Sequence, residues 1–199
     1  MLKIYLVRHG ETAYNAEGNK YCGRTDLKLT KTGNYQAKKL ASLLKDIELD
    51  AVYSSPLIRA HNTAKIAAPN KEIHIDPRII ELDFGDWEGK TRSEFIKENR
   101  SLWDNWNEDP KTNPAGGSGE TAGELILRLD DFLNELLIKH KKGNILIVAH
   151  NGVNRFLIAH LLGFDLKNYR KIVQENSSLT VLKYEKEEGF SLLKLNCKQ

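Results

Sequence analysis

Arg8, His9 and Gly10 stand together directly after an apolar run over residues 2–7. That run has β-branched and aromatic members and predicts a buried strand. A cation, an imidazole and a flexible backbone then fall just past the carboxyl end of the strand, where open α/β sheets present their chemistry. The arrangement recurs. Arg59 lies just past a second predicted strand at 50–54, and His150 follows the clearest buried strand, 144–149. In a parallel sheet these ends share one edge, so four cationic or potentially cationic groups converge. A dianionic phosphate is the natural ligand. Guanidinium forks match phosphate oxygens, and a helix opening near Gly152 would add backbone N–H groups and a positive dipole end.

The histidine pair suggests nucleophilic catalysis, in which a neutral imidazole attacks phosphorus and becomes phosphohistidine. Its other ring nitrogen must be held by an acceptor that fixes the tautomer. The leaving alkoxide then needs a proton donor, and Glu81 is the best candidate, in an irregular segment between hydrophobic residues. The two histidines could instead ligate a metal, but the arginines beside them would repel a cation. No Walker-type loop and no acidic cluster spaced for Mg²⁺ is present. His61, His74, His140 and His160 have no partners recognisable in the sequence and read as structural or exposed.

The elements that must position these groups follow from periodicity. Thr30 is a candidate N-cap for an amphipathic helix over 31–45, and Pro56 can open a helix that runs to about Ala68. Residues 73–75 read as an edge strand, 77–89 as a loop crossing the sheet, and 91–109 as helical in pieces. Residues 111–119, rich in Gly, Pro and small polar types, are a loop that could act as a mobile lid. The longest helix, 120–142, carries Ala122, Leu125, Leu129, Phe132, Leu133, Leu136 and Leu137 on one face, with Gly143 as its stop. A helix at 153–162 follows, then a hairpin of strands at 179–185 and 190–195. The expected fold is α/β: a three-layer sandwich with a mostly parallel central sheet, helices on both faces and an antiparallel edge.

Length and composition favour one domain over residues 1–199, with a helical and loop excursion at about 86–120 over the active site. The net charge of +3, without a long basic stripe, gives no sign of a nucleic-acid partner. No run approaches a membrane span. Cys22 and Cys197 form neither a disulfide framework nor a metal spacing, and the N-terminal run is too short for a signal peptide. A reduced, cytoplasmic setting is expected. The hairpin edge could pair two chains, so monomer and homodimer both stay open.

The residues 6–12 with Asn15 resemble the signature of the histidine phosphatase superfamily, also called phosphoglycerate mutase-like. The likeness continues in order through 21–27, Leu29, Thr30 and Gly33, then 54–57, Arg59, Ala60, Thr63 and Ala64, then Glu81 and 84–89, and closes with 148–150 and Gly152. It implies that His9 is the nucleophile and that Glu81 first protonates the leaving oxygen and then activates water. It further implies that Arg8, Arg59 and His150 bind the phosphoryl oxygens. Asn15 and the backbone around Cys22, Gly23 and Asn151 would line the phosphate pocket, with no metal or cofactor. Two departures stand out: Asn151, where most members carry Gly or Ser, and Lys28, where Pro is frequent.

The family contains phosphatases and mutases. This chain is short, and Leu82-Asp83-Phe84 rather than basic residues follows Glu81, which favours a phosphatase. Residues 84–89, Trp103, Trp106 and the Gly-rich loop before Glu120 resemble the α-ribazole phosphatase branch of cobalamin synthesis. The expected reaction is metal-independent hydrolysis of a small phosphomonoester such as α-ribazole 5′-phosphate, with the tryptophans either stacking on a flat base or capping the core. The alternatives are phosphoglycerate mutase activity and a phospho-ligand binding module without catalysis.

Overall fold

The computed structural model describes residues 1–198. Its central strand, β1 (Leu2–Arg8), is apolar from Ile4 to Val7 because both its faces are covered. Leu2, Ile4 and Leu6 enter one core, whereas Tyr5 and Val7 enter another. The neighbouring β4 (Gly143–Ala149) divides the same way, Ile145, Ile147 and Ala149 against Leu146 and Val148. With β2 (Ala51–Ser54), β3 (Ile73–Ile75), β5 (Leu179–Glu185) and β6 (Gly189–Cys197), they form a sheet of order β3-β2-β4-β1-β5-β6. The first four strands run parallel; β5 and β6 are antiparallel additions.

Two helices cover one face. They are α2 (Lys31–Leu44), capped by the Thr30 hydroxyl on the Gly33 N–H, and α3 (Ile58–Ala67). The other face carries α4 (Arg92–Glu98), α5 (Arg100–Glu108), α6 (Ala122–Lys139) and α7 (Asn151–Leu161). The short α1 (Ala13–Ala16) lies in the loop after β1. The three layers and antiparallel edge are those that the strand and helix patterns predict.

Several boundaries shift by one to three residues, among them the start of α7 at Asn151 rather than 153, and two shifts have a plain cause. The third helix begins at Ile58 rather than Pro56, because Leu57 is extended and serves as its N-cap. The long helix stops at Lys139, where His140 turns extended; Gly143, at φ +108°, opens β4 instead of closing the helix.

Register brings the chemistry together. Val7 pairs with Val148 and Arg8 with Ala149, so β1 and β4 end level. Ser54 pairs with Val148, one residue short of that line. The His9 N–H continues the ladder to the Ala149 carbonyl (3.1 Å) and the Ser55 N–H to the Val148 carbonyl (3.1 Å). Arg8-His9, Ser55 and His150 therefore leave the sheet side by side.

Candidate active site

A cleft of about 690 Å³ opens at this edge, with Arg8, His9, Asn15, Cys22, Glu81 and Asn151 among its walls. His9 is buried, and its Nδ1 lies 2.7 Å from the carbonyl oxygen of Gly10. A carbonyl only accepts, so Nδ1 carries the proton and Nε2 keeps its lone pair. Burial, then the charges of Arg59 and Arg8, hold the His9 pKa well below the usual 6.5. The imidazole is thus neutral and its free nitrogen nucleophilic.

His150 sits beside it, ring centroids 5.2 Å apart. It too is held neutral, by burial and then by Arg59. Its Nε2 lies 2.7 Å from the Ser55 hydroxyl, which also accepts the Leu57 N–H at 3.3 Å. The hydroxyl hydrogen of Ser55 stays available to His150 Nε2. That relay places the remaining imidazole proton on Nδ1, which is buried without a protein partner. His150 is wholly buried and is not among the cleft-lining residues; it stands behind His9 as a neutral imidazole rather than a cation.

Arg8 donates to the carbonyl of Gln174 (2.8 Å), and its Nε has no partner. Burial, then neighbouring Arg155, lowers its pKa to about 10, which leaves it cationic at neutral pH. Arg59 is wholly buried and mostly occupied. It donates to the carbonyls of Thr25 (2.8 Å), Cys22 (3.2 Å) and Gly23 (2.8 Å), with Nε left over. It is not among the cleft-lining residues; it moulds the 22–25 loop and supplies charge behind His9 and His150. Glu88 grips the same loop through the N–H groups of Gly23 (2.8 Å) and Thr25 (3.3 Å). The Gly23 N–H, expected to face phosphate, is therefore committed to Glu88. Burial pushes the Cys22 thiol up to about 11, so it stays protonated and inert. Asn15 Oδ1 accepts from the Thr12 N–H, the Thr12 hydroxyl and Asn176 Nδ2, all at 3.1 Å, which turns its amide nitrogen into the free donor.

Glu81 overturns one expectation about α7. The helix N-terminus does not present its amides to a phosphate: the Gly152 and Val153 N–H groups donate to the two Glu81 carboxylate oxygens, each at 3.1 Å. A third N–H, that of Leu82, donates to Oε1 at 2.9 Å, so three backbone bonds and the helix end fix the position of the carboxyl group. Gly152 permits the approach, since a Cβ there would stand 2.7 Å from Glu81 Oε1. Asn151, the first residue of α7, does line the cleft, with its Oδ1 buried and unpaired.

Sequence reasoning missed several residues that the structure brings in. Arg155 lies one helical turn beyond Asn151, on the same face of α7. That i, i+4 spacing from the His150-Asn151 signature was the available signal. Ser55 lay inside a quoted motif without a role. Gln174, Asn176 and Arg170 come from coil and a 3-10 segment (Leu166–Lys171) that no periodicity marks. Asn176 Nδ2 donates to the His9 carbonyl (3.1 Å), and the Ser177 N–H donates to those of Arg8 (3.0 Å) and His9 (3.2 Å).

Of the excursion at 86–120, Thr91, Arg92 and Ser93 reach the cleft. The 111–119 loop does not: Ala115 and Gly116 are buried, tied by the Ala115 N–H to the Glu120 carbonyl and the Glu120 N–H to that of Asp83. Trp106 is buried and donates to the Tyr169 hydroxyl (3.1 Å), while the Arg170 guanidinium covers Trp103 at 4.4 Å. The tryptophans therefore cap the core instead of offering a stacking face. His140 bonds Tyr53 and His160 bonds Asp130, both at 2.9 Å and outside the cleft, in structural roles. Among the described residues no helix is long and apolar enough to cross a membrane.

Comparison with known proteins bears on this geometry. The family model described as histidine phosphatase superfamily (branch 1) matches residues 4–198. Phosphoserine phosphatase 1 of Hydrogenobacter thermophilus is 36% identical over 198 residues, 98% of this chain and 92% of that one. The adenosylcobalamin/alpha-ribazole phosphatase of Salmonella typhimurium is 36% identical over 163 residues, covering 81% of this chain and 80% of its own. Among solved structures, a phosphoserine phosphatase from Entamoeba histolytica in complex with 3-phosphoglyceric acid superposes with a TM-score of 0.91 at 30% identity, covering 100% of this chain and 98% of that one.

Proposed function

This chain belongs to the histidine phosphatase superfamily and is a phosphatase, and we propose that it hydrolyses a small phosphomonoester through a phosphohistidine on His9, without a metal. The observation that carries the reading is the His9 Nδ1–Gly10 contact of 2.7 Å, which leaves a neutral Nε2 in a cleft shared with Glu81. In the first step the Nε2 lone pair forms a P–N bond while the ester P–O bond breaks, and the leaving oxygen takes a proton from Glu81. In the second, Glu81 as carboxylate accepts a proton from water, whose oxygen displaces His9 and releases inorganic phosphate. Arg8 and the Asn15 amide donate to the equatorial oxygens as charge spreads over them. Arg59 and Glu88 keep the Cys22-Gly23 wall in place. α-Ribazole 5′-phosphate and phosphoserine are the first esters to try, by analogy with the relatives.

The test is ³¹P NMR with chelator present and a mixture of α-ribazole phosphate, phosphoserine and 3-phosphoglycerate. A growing inorganic phosphate peak is expected, and none with His9→Ala. Conversion of 3-phosphoglycerate to its 2-isomer with little free phosphate would place the chain with the mutases, and full activity in His9→Ala would overturn the nucleophile assignment.

A further inference from the structure

The cleft holds more positive charge than one phosphoryl group requires. Arg92, Arg155 and Arg170 all line it, and among the described residues none has a carboxylate partner. The cleft lysines differ: Lys20 is paired with Glu17 (2.8 Å) and Lys198 with Glu175 (3.2 Å). Arg170 is held by neutral groups, donating to the Tyr21 hydroxyl at 3.1 Å with its guanidinium 4.4 Å from the Trp103 ring centre. Arg155 projects from α7 with its Nε buried and unpartnered. Arg155 lies close enough to Arg8 to be the main charge opposing it, and Arg170 in turn acts on Arg155. Arg8, Arg155 and Arg170 are thus neighbouring cations in one cleft.

Half-buried like charges without a counter-ion destabilise a fold. Here they are pre-oriented by aromatic and hydroxyl groups that neutralise nothing. Arginine's planar fork is suited to bidentate capture of a carboxylate or phosphate. We propose that Arg155 and Arg170 form a subsite for a second anionic group of the substrate, so that favoured substrates are phosphomonoesters that also carry a carboxylate or a second phosphate. For turnover this rests on the phosphatase reading above; for binding it stands alone.

Calorimetry in the His9→Ala background tests it without turnover. The probes are 3-phosphoglycerate, 2,3-bisphosphoglycerate and glycerol 3-phosphate, which share a phosphorylated three-carbon frame and differ in the second anion. At least one of the first two is expected to bind about tenfold or more tightly than glycerol 3-phosphate; because the bisphosphate keeps the carboxylate, tight binding of both identifies the carboxylate as the second anion, and tight binding of the bisphosphate alone identifies the second phosphate. Arg170→Met and Arg155→Met should each shrink that preference to about twofold. Equal binding of all three esters, or a preference that survives both substitutions, overturns the subsite. If Arg155→Met fails to fold, Arg170→Met decides alone. Wild-type turnover is read separately: absence of hydrolysis of any ester would refute the phosphatase reading and leave the binding result intact.

Discussion

Gly152→Ala isolates the placement of Glu81 from every other feature of the site. The new Cβ would stand 2.7 Å from Glu81 Oε1 and 3.4 Å from its Cδ. Ordinary C···O contact begins near ~3.3 Å, so the carboxylate must retreat by about 0.6 Å. The N–H bonds from Gly152 and Val153, both 3.1 Å now, then stretch toward ~3.7 Å, beyond useful hydrogen bonding. A misplacement approaching 1 Å costs about 10²-fold in rate, and a whole general acid about 10²–10⁴. The expected result is a 10- to 100-fold drop in kcat/KM for an alkyl phosphate. An aryl ester whose leaving group departs unprotonated should lose no more than about threefold, since kcat/KM reports only steps up to phosphorylation of His9. Glycine to alanine within a helix is intrinsically favourable by roughly 1 kcal/mol, which offsets only part of the overlap and the two lost bonds, about 1 kcal/mol each, so the melting temperature should fall by a few degrees without loss of the fold. An alkyl phosphate rate within twofold of wild type, or equal losses on both esters, would refute the assignment of Glu81 as the acid.

Ser55→Ala removes the relay that sets the His150 tautomer, and kcat/KM should fall about tenfold as the imidazole behind His9 loses its fixed orientation; an unchanged value sinks the relay. Glu88→Ala frees the Gly23 and Thr25 amides, so the Arg59-moulded loop should loosen and KM rise about tenfold, with kcat less affected; the reverse pattern would assign Glu88 to chemistry. Stability should also depend on pH. His9 and His150 have folded pKa values below 6.5, so below that pH the unfolded chain binds protons that the fold rejects. Unfolding free energy should therefore decline as pH falls through 6.5, by up to about 1.36 kcal/mol per pH unit for each histidine. Urea midpoints at successive pH values measure it; a midpoint that rises on acidification, or a slope that His9→Gln leaves unaltered, contradicts the burial of neutral imidazoles.

The strand ends were legible because a doubly covered strand is apolar to its last residue, so Arg8-His9 and His150 stand out as abrupt polar breaks. Glu81 was legible as a residue but not in its anchoring: one-dimensional spacing shows that a helix begins near Gly152, not which acceptor claims its amides. Arg59 was expected to hold phosphoryl oxygens, whereas it lies behind the cleft on three loop carbonyls, contacts that depend on how a coil loop folds over it. Arg155 hid in α7 among the buried Val153, Phe156 and Leu157. Gln174 and Asn176 reach the site only because β5 returns antiparallel along β1, a pairing that local pattern cannot convey.

That return strand also governs when the enzyme comes into being during synthesis. His9 follows directly on β1, but β1 lies between β4 and β5, so it has neither neighbour until those later strands have left the ribosome. Gln174, Asn176 and Ser177 then clasp Arg8 and His9 across some 166 residues. Long-range pairings of this kind form slowly and late. The surroundings of His9 are thus completed only when β5 closes on β1, so the chemistry proposed for that imidazole waits on the last hairpin of the sheet.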